Sequence, residues 1–207
     1  MRAKGEALQR SAELWERGAE GEQATADVLA SLPRHAWTVF HDVRWPGRQY
    51  ANVDHVVVGP TGVFVIDSKN WSGSITVREN VLRQNGRSRE AAVFGAAEAA
   101  IAVSQVVPVV IPQHVYPVLC FVRPDPLTGW ARDVIVTSTS NLLEMLTSRP
   151  VVLPPHIAQE ACLQLDAMFR SATRPPASSQ PPPRRPQLPP TNPRQRQGAS
   201  PGSRARR

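Results

Sequence analysis

Two valine-rich segments, Asn52–Val58 and Val63–Lys69, flank Gly59-Pro60-Thr61-Gly62, and this arrangement constrains the fold more than any other feature of the chain. β-Branched runs separated by a short Gly/Pro turn predict an antiparallel hairpin, its two glycines free to take positive φ at a tight reversal. With the turn centred between Pro60 and Thr61, Asp54 falls opposite Asp67 and Asn52 opposite Lys69. Strand side chains alternate, so these four share one face. An odd-length turn would shift the register and undo that pairing.

The remaining elements build around this hairpin. Ala7–Leu32 reads as a helix, interrupted or restarted near Gly18 and Gly21 and closed by Pro33. Trp37–Arg44 is a strand, and Ser74–Val77 with Val81–Gln84 forms a weaker hairpin about Glu79-Asn80. Alanine-rich Ser88–Val107 is a helix whose small residues allow close packing on a sheet. His114–Val122 and Asp133–Thr137 read as strands, and Thr139–Leu146 and His156–Phe169 as helices. This order predicts an α/β domain, a mixed sheet with helices on its faces.

Directly opposed carboxylates, with Cβ atoms about 4.5–5.5 Å apart, repel unless a cation lies between them. Asp54 and Asp67 therefore form a candidate metal pair, with the Ser68 backbone carbonyl as a further hard oxygen ligand. Two carboxylates plus water and substrate phosphate suit the octahedral preference of Mg²⁺, with ligand distances of about 2.0–2.1 Å. Lys69 projects to the same face, where an ammonium can position an attacking water and offset charge building on phosphorus. Glu22 lies within about 40° of Ala26 and about 20° of Leu29 on a helical wheel, on the face expected to meet the sheet. A carboxylate there is costly unless paired or metal-bound.

Blander readings exist for each residue. Asp-X-Lys triplets are common, Asp54 could pair with neighbouring His55, and Glu22 could reach solvent or cap a restarted helix. One geometry serving all four favours a catalytic set of Glu22, Asp54, Asp67 and Lys69. Walker-type loops, Gly-X-Ser-X-Gly elbows and His-Glu-X-X-His pairs are missing from the sequence. The five histidines are scattered, and none is assigned as a catalytic base. Tryptophans read as core or sheet-edge packing, except Trp71, which falls just past Lys69 at the expected rim.

Charge divides the chain in two. Residues 171–207 hold eight arginines, ten prolines and no acidic residue, leaving 16 basic against 17 acidic side chains in residues 1–170. A tail with a single large aliphatic, Leu188, cannot offset its ordering entropy and is expected to be disordered. Its arginines, including Arg184, Arg185, Arg194, Arg196, Arg204, Arg206 and Arg207, suit salt-sensitive, sequence-indifferent phosphate contacts, a solubilising tail being the alternative. Two distant cysteines, the lack of a signal-like N-terminus and the lack of a long apolar run point to a cytoplasmic protein without a membrane role.

Gly18-Ala-Glu-Gly-Glu22, Val53-Asp54-His55-Val56-Val57-Val58 and Gly62-Val63-Phe64-Val65-Ile66-Asp67-Ser68-Lys69-Asn70, with Gly73 following, resemble the NERD (nuclease-related) domain. The resemblance is strong over about 17–77 and looser through the strand ending at Val122, so the motif core spans about 17–122 of a domain covering 1–170. It implies the PD-(D/E)XK superfamily, a restriction-endonuclease-like αβββαβ core and a metal-dependent nuclease site. By position, the family's helix glutamate falls on Glu22, its strand aspartate on Asp54, its acidic residue before X-Lys on Asp67 and its lysine on Lys69. This chain departs from the usual pattern with Asp67 for glutamate, Ser68 for threonine, and Asn52-Val53 where many relatives carry a polar residue before Asp-His. The sequence-based expectation is a Mg²⁺- or Mn²⁺-dependent nuclease acting on DNA in DNA processing, with RNA left open as substrate. A non-catalytic nucleic-acid-binding or scaffold module retaining the fold is the alternative.

Overall fold

The computed structural model describes residues 2–45, 48 and 51–172. The arginine tail, with Arg184, Arg185, Arg194, Arg196, Arg204, Arg206 and Arg207, lies outside the described residues.

The hairpin forms as its sequence dictates. Strands β2 (Asn52–Gly59) and β3 (Gly62–Lys69) pair antiparallel from Gly59↔Gly62 to His55↔Ile66, the even-turn register. The two glycines serve different ends. Gly62 sits at φ +140°, whereas Gly59 is not left-handed; a Cβ on it would lie 2.1 Å from the Trp37 ring, so glycine is required for close approach. Thr61 Oγ1 donates to the Leu146 carbonyl at 2.6 Å, and the Pro60 carbonyl accepts from the amides of Val152 and Leu153 at 2.9 Å each. The turn is thereby tied to the C-terminal part of the domain.

Helix α1 (Arg2–Leu29) precedes strand β1 (Thr38–Arg44), which pairs with β2. The helix is uninterrupted at Gly18 and Gly21, contrary to expectation. Glycine weakens a helix interior by only about 1 kcal/mol, a bias that packing against the sheet overrides. Gly21 does permit close approach, since a Cβ there would meet the Asn70 Cβ at 3.0 Å.

After β3 comes a small separate sheet of β4 (Ile75–Arg78), β5 (Val81–Gln84) and β6 (Arg87–Ser88), in that order. Glu79 and Asn80 both hold positive φ, as a two-residue primed turn requires. Because Arg87–Ser88 pairs with β5, helix α2 begins only at Glu90 and runs to Val106. β7 (Val115–Phe121) then lies parallel to β3, β9 (Val134–Ser138) parallel to β7, and the short edge strand β8 (Gly129–Ala131), absent from the sequence reading, antiparallel to β9. The main sheet runs β1-β2-β3-β7-β9-β8. Helix α3 (Leu142–Thr147) starts late because the Asn141 Oδ1 caps the preceding turn, accepting the Ser138 amide at 3.1 Å; α4 (Pro155–Ala172) closes the domain.

Strand alternation sorts the core. Val56, Val58, Val63 and Val65 face α2 and α4, meeting Ala99, Val103 and Leu165. Val57, Phe64 and Ile66 face α1 and α3, meeting Leu29, Leu142 and Leu146. Helix, three strands, helix, parallel strand is the expected αβββαβ core, and the whole is a mixed six-stranded sheet flanked by helices in the restriction-endonuclease-like manner. No described helix is long and apolar enough to cross a membrane.

Gly59→Ala should lower stability by about 1–3 kcal/mol through overpacking against Trp37. Gly18→Ala, with open space around its Cβ, should raise it by about 0.5–1 kcal/mol. Urea denaturation of both variants checks this; a wild-type midpoint for Gly59→Ala would contradict the packing described.

Candidate active site

The site forms where β2 and β3 part. Beyond His55↔Ile66 the β2–β3 ladder ends, and the β1–β2 ladder skips Asp42 and Asp54 between its His41↔His55 and Val43↔Val53 rungs. Asp42 takes φ 50°, a left-handed conformation that interrupts the pairing while β1 continues through it. In place of a backbone rung, the Asp54 Oδ2 accepts the Ser68 amide at 2.7 Å, so the carboxylate itself bridges the strands. Asp67, one residue before that amide, accepts a hydrogen bond from the Lys69 ammonium in a partly buried ion pair.

These groups share a cleft of about 530 Å³ whose lining includes Glu22, Asp54, Asp67, Ser68 and Lys69, so the structure brings together all four acid and base candidates. Two expectations need correction. Glu22 is exposed at the cleft wall and not buried against the sheet; the face of α1 that meets the strands is Gly21, Thr25 and Leu29. On a 3.6-residue repeat these three span about 80°, and Glu22, about two turns earlier than Leu29, lies about 20° beyond it, at the margin of the seam. Asn52, expected beside Lys69, instead pairs with Arg44 and donates to the Asp42 Oδ1 at 2.7 Å, because β2 follows β1 after leaving β3. It lines a smaller hollow behind Asp54, Asp67 and Lys69.

The electrostatics are those of carboxylates short of positive charge. Asp54 is pushed up to about 7, chiefly by burial and then by the negative charge of Asp67; the Ser68 amide offsets part of this and Lys69 least. Glu22 is raised as well, by desolvation at the cleft wall and then by Asp42 and Asp67, with Lys69 opposing. Among the described residues no three His, Cys, Asp or Glu side chains converge as a ready ligand set. A buried Asp54 carboxylate whose charge is opposed by burial and by the neighbouring Asp67, in an open polar cleft, nevertheless fits a small divalent cation with oxygen preference, which would stabilise its charged form.

His55 is turned to the other side of β2 and does not pair with Asp54. Its Nδ1 lies 2.9 Å from the Nδ1 of His41, the rings meeting edge to face. Burial, followed by His41, pushes His55 down to about 4, against the opposing effect of the Glu22 backbone. A neutral, 2% exposed imidazole serves as packing beneath α1.

Beyond Lys69 the cleft is lined by Gly18 and Asn70, which the sequence motifs contain without a site role, and by residues that the sequence did not single out: Arg17 from α1, and Gln84 and Arg89 flanking β6. Trp71 also lines the cleft, at the rim where the sequence placed it. It packs edge-on against Phe121 at 5.4 Å, and the Arg123 guanidinium donates to the Trp71 carbonyl at 3.1 Å and to the Gly73 carbonyl, fixing the loop. Overall charge could not reveal these arginines, since residues 1–170 are nearly neutral.

A family model described as the nuclease-related domain matches residues 17–122, which span α1 from Arg17 to just past β7 and contain the whole cleft. No curated protein and no solved structure matches the chain.

The raised Asp54 makes metal-free stability pH-dependent. Its ordinary value is 3.8 and its folded value about 7, so its contribution is fully present below about pH 4 and lost as pH rises through 7. Asp54→Asn, whose amide oxygen can still accept the Ser68 amide, should match wild type near pH 4 and exceed it above pH 7. Urea titrations in EDTA at both pH values test this; a pH-independent difference would reject it.

Proposed function

The chain belongs to the nuclease-related domain family, and from that premise we propose that it is a divalent-metal-dependent nuclease hydrolysing DNA phosphodiester bonds. The observation that carries this reading is the clustering of Asp54, Asp67, Lys69 and Glu22 in one cleft at the end of the β2–β3 hairpin.

In this reading Asp54 and Asp67 hold Mg²⁺ or Mn²⁺, with the Ser68 carbonyl as a further oxygen on the same strand end. When bound, the ion supplies Lewis-acid polarisation of the phosphate and charge neutralisation. The chain's own residues do the rest. Asp54 is held in place by the Ser68 amide, which leaves it little rotational freedom. Lys69, restrained by Asp67, points its ammonium at the carboxylates, where it can orient water and stabilise negative charge as the phosphate becomes pentacoordinate. Glu22, exposed on the wall and with a raised affinity for protons, is placed to accept a proton from that water or to complete the ion's surroundings through solvent. Aspartate at position 67 has shorter reach than glutamate, which bears on where the ion would sit.

The arginine tail adds sequence-independent affinity for the phosphate backbone. DNA is the substrate this reading favours.

Incubation of single-stranded, duplex, branched and circular DNA with Mg²⁺ or Mn²⁺ tests the proposal. Wild type should cleave, Asp67→Ala should lose both cleavage and metal binding, and Lys69→Ala should lose turnover by about 100-fold or more while retaining metal. Binding without cleavage in wild type and both variants would instead establish a non-catalytic binding module. Removing residues 173–207 should weaken DNA affinity and flatten its salt dependence while leaving the thermal transition in place; an unchanged salt slope would remove the tail from the mechanism.

A further inference from the structure

Lys69, Asn70 and Trp71 are consecutive, and each engages a different wall of the cleft. Lys69 turns to Asp67. The Asn70 Nδ2 donates to the Arg17 carbonyl at 3.3 Å, at the point where Gly21 lets α1 approach the strand end. Trp71, wedged on Phe121 and held by Arg123, lies beneath the Arg89 guanidinium, 5.4 Å from the ring centroid. Arg17 and Arg89 come from opposite faces of the sheet, one on α1 and the other just before α2. Both are exposed, both line the cleft, and among the described residues neither guanidinium has an ion-pair partner. This sets them apart from Arg48 and Arg132, which are paired with Glu98 and Glu90.

An unpaired arginine beside crowded carboxylates would ordinarily collapse onto them. Arg89 does not, because the tryptophan face offers a competing cation–π contact that leaves its planar fork free for an oxyanion. Asn70 plays the corresponding part for Arg17 by fixing the helix backbone that carries it.

We propose that Arg17 and Arg89 are phosphate grips that bind the DNA backbone on either side of the phosphate placed at Asp54 and Asp67, with Asn70 and Trp71 as their positioning residues. This rests on the nuclease reading above and extends it from the reacting centre to the path of the strand. A strand threaded between α1 and the start of α2 crosses the end of β3, presenting one phosphate to the carboxylates and its neighbours to the arginines. Arg17 and Arg89 thus supply positive charge on both sides of the carboxylates within a nearly neutral domain.

The test uses the full-length chain, fluorescent single-stranded DNA and its matching duplex, with Ca²⁺ for binding and Mg²⁺ for turnover. Each lost phosphate contact lowers the slope of log K against log salt by about 0.7 for single strands and about 0.9 for duplex. Arg17→Ala/Arg89→Ala should therefore lower it by about 1.4 or about 1.8, and raise KM with little change in kcat. Arg89→Lys should restore the slope, Trp71→Phe should keep it, and Trp71→Leu should lose the Arg89 part, which a merely structural role for Trp71 would not reproduce. A wild-type slope and KM in the double variant would overturn the proposal while leaving the nuclease reading intact. If wild type cleaves nothing yet the double variant still loses slope, the grips stand and the nuclease reading falls.

Discussion

Everything at the site depends on where the β2–β3 ladder stops. Up to His55↔Ile66 the strands are joined by backbone rungs; one residue later the rung is replaced by the Asp54 carboxylate accepting the Ser68 amide. Had the ladder continued, Asp54 and Asp67 would stand as an ordinary non-local pair on a flat sheet, repelling one another. Because it ends, the carboxylate turns into the gap, while β3 stays paired with β7 through Lys69 and only then leaves the sheet, setting Lys69, Asn70 and Trp71 around the cleft. The left-handed Asp42 is the counterpart on the other side, freeing Asp54 from β1 as well.

This arrangement carries an energetic tension. Valines and Phe64 make the centre of the hairpin among the driest parts of the core, and each such side chain stabilises the fold by about 1.5–3 kcal/mol. The site uses that rigid base to hold Asp54 against the cost of its burial and of the charge of Asp67 beside it. Glu22 differs in position: it stands exposed on the cleft wall, its carboxyl raised by desolvation there and then by Asp42 and Asp67.

What the sequence made legible was whatever follows from parity and turn length. An even turn between two valine strands fixes the register as far as His55↔Ile66 and so which side chains share a face, but not beyond it, where Asn52 follows β1. Less legible were features set by partners distant in sequence. Gly59 looked like a flexible turn residue but is small because Trp37 lies on it. The glycines of α1 looked like breaks, yet the sheet holds the helix continuous. Glu22 was assigned to the buried seam because a wheel with an uncertain phase cannot separate adjacent faces; Gly21 and Thr25 occupy that seam. Arg17 and Arg89 were invisible for a different reason, since a charge count has no positions and the two lie 72 residues apart.

The anchoring of the hairpin turn through Thr61 and Pro60 to Leu146, Val152 and Leu153 has a bearing on how the domain can be divided. All of these partners lie beyond residue 122, where the family match ends. So do β8, β9, α3 and α4; β9 pairs along the outer edge of β7, and this stretch of chain adds Leu153, Ala161 and Leu165 to one core layer and Ile135, Leu142 and Leu146 to the other. A fragment cut at that boundary would keep every residue of the cleft yet expose the full length of β7 as an unprotected strand edge, a template for self-association. The portion by which the family is recognised and the portion that forms the packed domain are therefore different lengths of chain, and the cleft end of the hairpin is held in register from its far end by residues that lie outside the cleft.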